Sequence, residues 1–504
     1  MHKYVKELLG GSLIYGLSGT VTSVISLFLV PIYTRVFTTD DYGVLSLVNT
    51  TYFLLTIFVI FGLDNSAALW YWDKAENEER KKTFASWAYF SLTLSVVIAI
   101  PIMLFSKQLS ALLLNNAHFY VLLNLMALTL VFASMQKVTN IWFRVQKKPA
   151  WAMIYALLVS LTTIGFSLLL VVKLDLGLSG VYWAQLGAAI ICFAVSIFLM
   201  NSWILPQYFD WRRLREMLVF AVPLIPAVLS FWLMNSAGSY FIQHYVDKTE
   251  VGLYQLGNSL ASGIGLVTSA FMQAWSPFAF SIAKEENHRQ IYADIFLLYV
   301  YWSSLALLGF VLFVPEALMI LAPPAFGDSA LVAGLLALNI FVLSLPQIIV
   351  IGCALVKTNS PFGTATILGS IVSVILFFTL IPRLGKEGAV LSTIIGNTCI
   401  FVFVYFRAQK LYFIPYALLK AVLALSGAAT LATMGLWLSQ LQSLAMSVIM
   451  KIVVIIIYAA FAVFQSFRLK RNGLVEDIPF NSDTKYLERN KAKKLIKKLF
   501  VRKA

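Results

Sequence analysis

Of 504 residues, 60% are hydrophobic and 12% charged, and the mean hydropathy is +0.83. So much apolar surface does not fit inside one water-soluble core, which excludes a soluble globular enzyme and leaves a polytopic membrane protein. The net charge of +15 does not call for a nucleic-acid partner, because it is concentrated in short connections between apolar stretches and in the last residues of the chain.

A helix that crosses roughly 30 Å of hydrocarbon needs about 20 mostly apolar residues. Fourteen such stretches follow one another, at 8–32, 43–70, 84–105, 118–142, 151–172, 177–200, 214–244, 252–282, 291–314, 329–355, 363–381, 387–407, 415–438 and 444–466. Span 1 starts behind Lys3 and Lys6 as a signal peptide would, yet it runs on without a cleavage site and is expected to be a retained helix. Its Ser12, Gly16, Gly19, Ser23 and Ser26 share one face, as close helix packing requires. Pro31 near its end, and Pro223 with Pro226 in span 7, remove backbone hydrogen bonds and are candidate hinges in the leading helix of each half. Cys192, Cys353 and Cys399 all fall inside spans, and an odd number in apolar surroundings forms no disulfide framework. The connections are too short for a catalytic domain. The chain also lacks GxxxxGK[ST] and HExxH motifs, and His2, His118, His244 and His288 are scattered. No enzymatic activity, metal or cofactor is expected.

Lys and Arg in short loops stay on the cytoplasmic side of a membrane. With the N-terminus inside, the inner connections hold eighteen of them, Arg80, Lys81, Lys82, Arg144, Lys147, Lys148, Arg212, Arg213 and Arg215 included. The outer connections hold six: Arg35, Lys107, Lys173, Lys248, Arg383 and Lys386. Both termini are therefore expected in the cytoplasm, as an even number of spans demands. The tail, 467–504, adds twelve more. Within it "KYLERNKAKKLIKKLF" sets Leu495, Ile496, Leu499 and Phe500 on one helical face, a pattern that suits either an anionic leaflet surface or a solvated tail.

The chain repeats itself. "TTDDYGVLSLVNT" at 38–50 returns as "DKTEVGLYQLGNS" at 247–259, a shift of 209 that aligns Asp41 with Glu250, Gly43 with Gly252 and Asn49 with Asn258. A shift of 208 aligns "LGLSG" at 176–180 with "LGKEG" at 384–388. Two matches at nearly one offset point to a duplicated six-helix unit: an all-α membrane fold with lobes at 1–210 and 211–411, two further helices at 412–466 and a basic tail at 467–504.

"FLVPIYTRVFTTDDYGVLSL", "FAVPLIP", "EVGLYQLGNSLAS", "FMQAWSPFAF" and "LIPRLGKEGAVLST", in that order over residues 8–410, resemble the oligosaccharide flippases of the polysaccharide transporter family, in the multidrug, oligosaccharidyl-lipid and polysaccharide exporter superfamily. The resemblance implies a monomer in a bacterial cytoplasmic membrane. It would move undecaprenyl-diphosphate-linked sugar repeat units to the outer leaflet for O-antigen, lipopolysaccharide, capsule or exopolysaccharide assembly, among membrane lipids and other assembly proteins. Where many relatives carry an Asp-Arg pair in span 7, this chain has Gly238 and Ser239, so no role of that pair transfers. A cation-coupled drug or metabolite antiporter of the same superfamily is the second reading, and a membrane glycosyltransferase or polymerase the third.

A diphosphate with hydrated sugars needs a wet passage, because crossing hydrocarbon bare is costly. In span 7, Asn235, Ser239 and Gln243 recur at helical spacing with Tyr240 beside them, and span 8 offers Gln255, Asn258 and Gln273; Asn49 and Asp64 are their counterparts in span 2. Each has the competing role of an ordinary interhelical hydrogen bond. Arg35 is the leading diphosphate partner, with His244 at the equivalent position of the repeat, although Arg35 also suits the role of an interfacial snorkel. Asp64 and Lys137 lie roughly 13 and 10 Å from the inner edge at 1.5 Å per residue, a shared depth at which they are expected to pair or to couple transport to a proton or sodium gradient or to the membrane potential. Lys451 in span 14 stands near enough to the outer end to snorkel.

Overall fold

The computed structural model describes residues 28–73, 76–283, 285–356, 358, 360–439 and 444–469. The described residues form helices and no strands, because a segment in hydrocarbon must satisfy its own backbone N–H and C=O groups. Eleven of these helices are long and apolar enough to cross a membrane. One is a double crossing: it folds back at Gly385, whose φ of 56° and ψ of −132° lie outside the helical range, so that spans 11 and 12 are its two arms. Span 8 is a helix of 34 residues, but its Ser, Gln and Asn content keeps it out of that set. Span 1 up to residue 27, with its small-residue face, lies outside the described residues, as does the basic tail beyond Leu469. Phe198, Trp211, Leu419, Phe464 and many other large apolar side chains are exposed around the molecule, which is the surface of a multi-pass protein solvated by lipid.

The first lobe contains α1 (Val30–Val36), α2 (Thr39–Ile60), α3 (Leu63–Asp73), α4 (Asn77–Leu104), α5 (Ser106–Leu114), α6 (Tyr120–Val145), α7 (Pro149–Ser167) and α8 (Gly177–Met200). The second contains α9 (Trp211–Ala221), α10 (Ile225–Ser236), α11 (Gly238–Tyr245), α12 (Lys248–Ser281), α13 (His288–Leu321), α14 (Ser329–Ile349), α15 (Ile351–Leu355) and α16 (Ser360–Leu411). In the first lobe α6 packs against α4, α8 and α2; in the second α14 packs between α12 and α16; and α2 meets α12 across the lobes. The added pair, α17 (Leu418–Ser439) and α18 (Leu444–Leu469), leans on α13. Two polar contacts hold it there: the hydroxyls of Ser304 and Tyr458 lie 2.7 Å apart, and Lys451 Nζ donates to Glu316 Oε1 at 2.5 Å. Lys451 is 2% exposed, so it does not snorkel as its place near the end of span 14 led us to expect. An apolar stem needs a path to the interface to snorkel, and here the facing carboxylate on α13 holds the ammonium instead.

The acidic turns that recur in the sequence are helix caps. Thr38 and Asp41 form a reciprocal capping box at the start of α2, and Asp247 accepts from Glu250 N at 2.8 Å at the start of α12. Each satisfies backbone donors that the first turn leaves unpaired. The other matched pair behaves alike: Gly177 and Gly385 both have a φ of 56°, a left-handed conformation that glycine adopts without a Cβ clash.

Spans 2 and 7, expected to be continuous, are broken. Span 2 breaks at Phe61 and Gly62, with φ of 54° and 70°. Span 7 breaks at Val222–Leu224, a tight 3₁₀ turn that carries Pro223, with Pro226 in the first turn of α10. The breaks adjoin, since a Cβ added to Gly62 would lie 3.4 Å from the Ala221 carbonyl. Beyond them α3 and α9 pack on each other, with Ser66 Oγ donating to Met217 O at 3.2 Å and Arg213 paired with Glu79 of α4. Beyond the break on its other side, α10 packs on α16. Span 7 therefore starts on the first lobe and finishes in the second.

Candidate functional site

At one end of the molecule the lobes are sealed by a reciprocal contact. A Cβ on Gly43 would lie 2.0 Å from the Lys248 carbonyl oxygen, and one on Gly252 would lie 1.9 Å from that of Thr39. Both residues and both partners are related by the shift of 209, so the two helix N-termini cross backbone to backbone about a local two-fold axis. Ser46 Oγ donates to Gln255 Oε1 at 3.2 Å, again between residues 209 apart. Thr34 Oγ1 donates to Leu321 O at 2.8 Å, and the rings of Tyr42 and Phe326 meet edge to face with centroids 5.6 Å apart. Nothing but hydrogen fits between the crossing backbones, which is why both copies of the turn carry glycine.

Past this seal the helices part. Tyr42 to Val48 are all buried on α2, and Val251 to Tyr254 on α12; then Asn49 and Asn258, equivalent in the repeat, are the first exposed positions. Further along α12, Ser269 and Gln273 are exposed. Polar side chains facing lipid would be costly, so they line an opening that widens toward the end carrying Asp73 and Arg213. Two hollows mark it. One, of about 150 Å³, sits just inside the seal between α1, α2, α8 and α12 and is lined by Asn49, Gln185, Gln255 and Ser259. The other, of about 300 Å³, lies between α12 and α14 along Thr268, Ser269, Gln273 and Gln347. Across the opening the hydroxyls of Thr51 and Tyr240 lie 2.6 Å apart. Nearer the wide end Lys137 Nζ stands 3.7 Å from Asp64 Oδ2, with side chains 46% and 23% exposed.

The expected wall residues therefore divide. Asn49, Asn258, Gln255, Gln273, Tyr240, Asp64 and Lys137 are brought to the opening. Asn235 is half-exposed and its amide donates to its own helix at Phe231 O, 2.9 Å away. Ser239 and Gln243, expected to continue its stripe, are buried at 3% and 7% exposure. The reason is packing: α11, which carries both, lies against α16 and α12. Arg35 and His244 stand exposed at the sealed end, apart from the opening. Arg35 Nη2 donates to Ile320 O at 3.4 Å, and His244 packs on Tyr245 with centroids 4.8 Å apart. Pro31 lies in the first turn of α1, whereas Pro223 and Pro226 mark an actual break.

Other features escaped the sequence reading. Gln185 carries no pattern that separates it from a packing residue, and Thr51 none that points to Tyr240. The break at Gly62 was visible only as a glycine within an apolar run. Lys386, assigned by charge counting to an outer loop, is buried and gives two hydrogen bonds to Glu250, at 2.8 and 2.9 Å. Among the described residues no three His, Cys, Asp or Glu side chains gather as metal ligands would.

Residues 8–283, more than half of the chain, match the family model described as polysaccharide biosynthesis protein. No curated protein matches the chain in sequence. Among solved structures, a lipid II flippase MurJ in an inward closed conformation is similar in fold with a TM-score of 0.69 at 13% identity, over 89% of this chain and 98% of that one. A multidrug resistance MATE family transporter of the MOP superfamily, inward-facing, gives 0.66 at 14% identity over 77% of this chain and 94% of that one. An outward-facing MATE transporter gives 0.52 at 15% identity over 80% and 95%. The chain shares its fold with these flippase and MATE transporter structures.

Proposed function

Because the chain belongs to the polysaccharide biosynthesis protein family, we propose that it is a transporter, not an enzyme, which flips polyprenyl-diphosphate-linked oligosaccharide from the cytoplasmic to the outer leaflet of a bacterial membrane by alternating access. The observation that carries this reading is the opening: sealed at one end by the Gly43 and Gly252 crossing and lined toward the other by exposed amides and hydroxyls. We assign the wide end to the cytoplasm because Arg80, Arg144, Lys147, Lys148, Arg212 and Arg215 crowd there. The greater likeness in fold to an inward-facing MATE structure, 0.66, than to an outward-facing one, 0.52, supports the same assignment.

In this mechanism the lipid tail stays in oil beside the protein while the headgroup enters the opening. Amide and hydroxyl side chains replace the water lost by the sugars, each offering donors or acceptors. Lys137 supplies positive charge for the diphosphate, which displaces Asp64. The glycine seal then opens, while the adjoining breaks at Gly62 and Pro223 let α3 and α9 tilt against the rest of spans 2 and 7. O-antigen, capsule and exopolysaccharide units all satisfy this chemistry. A drug or metabolite antiporter is the competing reading. The MATE structures cover 77 and 80% of this chain against 89% for the lipid II flippase, in line with a chain that carries two helices more than a drug exporter needs.

Purified protein in vesicles is the test, with polyprenyl-diphosphate oligosaccharide in one leaflet and a lectin reporting its arrival in the other. Saturable translocation is expected, with no export of a lipophilic cationic dye. Dye export without glycolipid movement would favour the antiporter.

A further inference from the structure

We infer that the hollow behind the seal is a subsite for one uncharged sugar, the one farthest from the diphosphate, and that it makes the transporter selective for glycans with a neutral terminal residue. The inference rests on the flippase reading and names what the closed end of the opening recognises. The hollow measures about 150 Å³, half of the roughly 300 Å³ at which sites for drug-sized ligands begin, so one sugar ring suits its size. Three carboxamides face it, those of Asn49, Gln185 and Gln255. Gln255 uses its oxygen to accept from Ser46, which leaves its NH₂ group available, and neither Asn49 nor Gln185 has a hydrogen-bond partner among the described residues. A carboxamide offers donors and an acceptor side by side, matching a ring hydroxyl that both donates and accepts. Tyr33 and Tyr42 supply aromatic surface for the apolar C–H face of a sugar, and the Tyr33 hydroxyl is already committed to Ser167 Oγ at 3.0 Å.

What the hollow lacks is equally specific. No charged side chain stands among the described residues that line it, so a carboxylate sugar entering it would lose hydration without gaining a cation. The position selects which sugar arrives. Asn49 precedes Ile60, the last residue of α2, by eleven residues, roughly 16 Å at 1.5 Å per residue, and Asp64 stands beyond the break, in α3. A diphosphate anchored by its lipid near Lys137 therefore reaches the hollow only with the far end of a glycan several rings long.

The experiment measures transport in vesicles of three polyprenyl-diphosphate carriers: one bearing a neutral tetrasaccharide, one bearing the same chain ending in a uronic acid, and one bearing a single sugar. For the unaltered protein, the uronic-acid carrier is expected to show a KM about tenfold higher than the neutral tetrasaccharide. Gln185→Leu is expected to raise the KM for the neutral tetrasaccharide relative to the single-sugar carrier by about tenfold, the value of one to two hydrogen bonds. Gln185→Asn, which keeps the amide but shortens its reach, is expected to fall between. Because the readout is a ratio between substrates, partial loss of folded protein does not produce it. An unchanged ratio in both variants, or equal KM values for neutral and acidic chains, would overturn the inference while leaving the flippase reading intact. Failure of the unaltered protein to move any of the three would overturn both.

Discussion

At the scale of residues, the same position in the two halves of the repeat does different work. Asp41 turns back to cap Thr38, whereas Glu250 reaches across to Lys386 in the bend of α16. The charge that separates them is local: the corresponding bend in the first lobe, at Gly177, is followed by Leu178 and not by a lysine. Asp64 and Lys137 lie 3.7 Å apart, longer than a hydrogen bond, and both are partly open to solvent, so as an ion pair they stabilise little. In the proposed mechanism the pair acts in transport, Lys137 meeting the diphosphate as Asp64 is displaced. Lys137→Asp and Asp64→Lys singly each put two like charges at one depth and are expected to lower the vesicle transport rate at least tenfold, whereas the double reversal, which restores one cation and one anion, is expected to recover most of it. Dead singles with a dead double would remove the pair from the mechanism.

At the scale of elements, the crossing of α2 and α12 decides which end is closed. An alanine at Gly43 would place its Cβ 2.0 Å from the Lys248 carbonyl oxygen, and one at Gly252 1.9 Å from that of Thr39, so either methyl must push the two helices apart. Overpacking of this kind costs about 1–3 kcal/mol, a shift of roughly five- to 150-fold in the ratio of sealed to unsealed states. Gly263, on the same helix with no atom within 4 Å of an added Cβ, is the matched control. Gly43→Ala and Gly252→Ala are expected to make a cysteine placed at Asn258 reactive toward an impermeant thiol reagent from the outer face, and Gly263→Ala to leave it protected. Equal protection in all three would show that the seal yields without opening.

At the scale of the whole molecule, a basic end and a nearly neutral end predict a single orientation. On intact cells an impermeant maleimide is expected to label Lys107→Cys and to miss Lys147→Cys until the membrane is permeabilised, and the reverse pattern would place the wide end of the opening outside. The background from native thiols is small, because Cys192 and Cys353 are buried and Cys399 is partly so. The pair α17 and α18 moves with the second lobe in this scheme, because Lys451 and Tyr458 attach it to α13 and leave its outer faces apolar.

Composition and hydropathy alone determined that the chain spans a membrane many times, and two short matches revealed the duplication, because hydrocarbon imposes segment length and apolarity on any sequence that crosses it. The repeated acidic, glycine-pivoted turns could be read as equivalent, and Asn49, Asn258 and Gln255 could be singled out as candidates for a wet wall. Their partners could not be read. Whether a polar side chain on a long helix meets a cleft, a neighbouring helix or its own backbone depends on the azimuth of that helix, and breaks at Phe61–Gly62 and Val222–Leu224 reset it. Only packing on α16 and α12 buried Ser239 and Gln243, and only packing of the two lobes put Gly43 on Lys248 and turned Arg35 onto the end of α13. Those contacts join residues about two hundred to three hundred positions apart, and the pattern of a single segment carries no record of what lies against it.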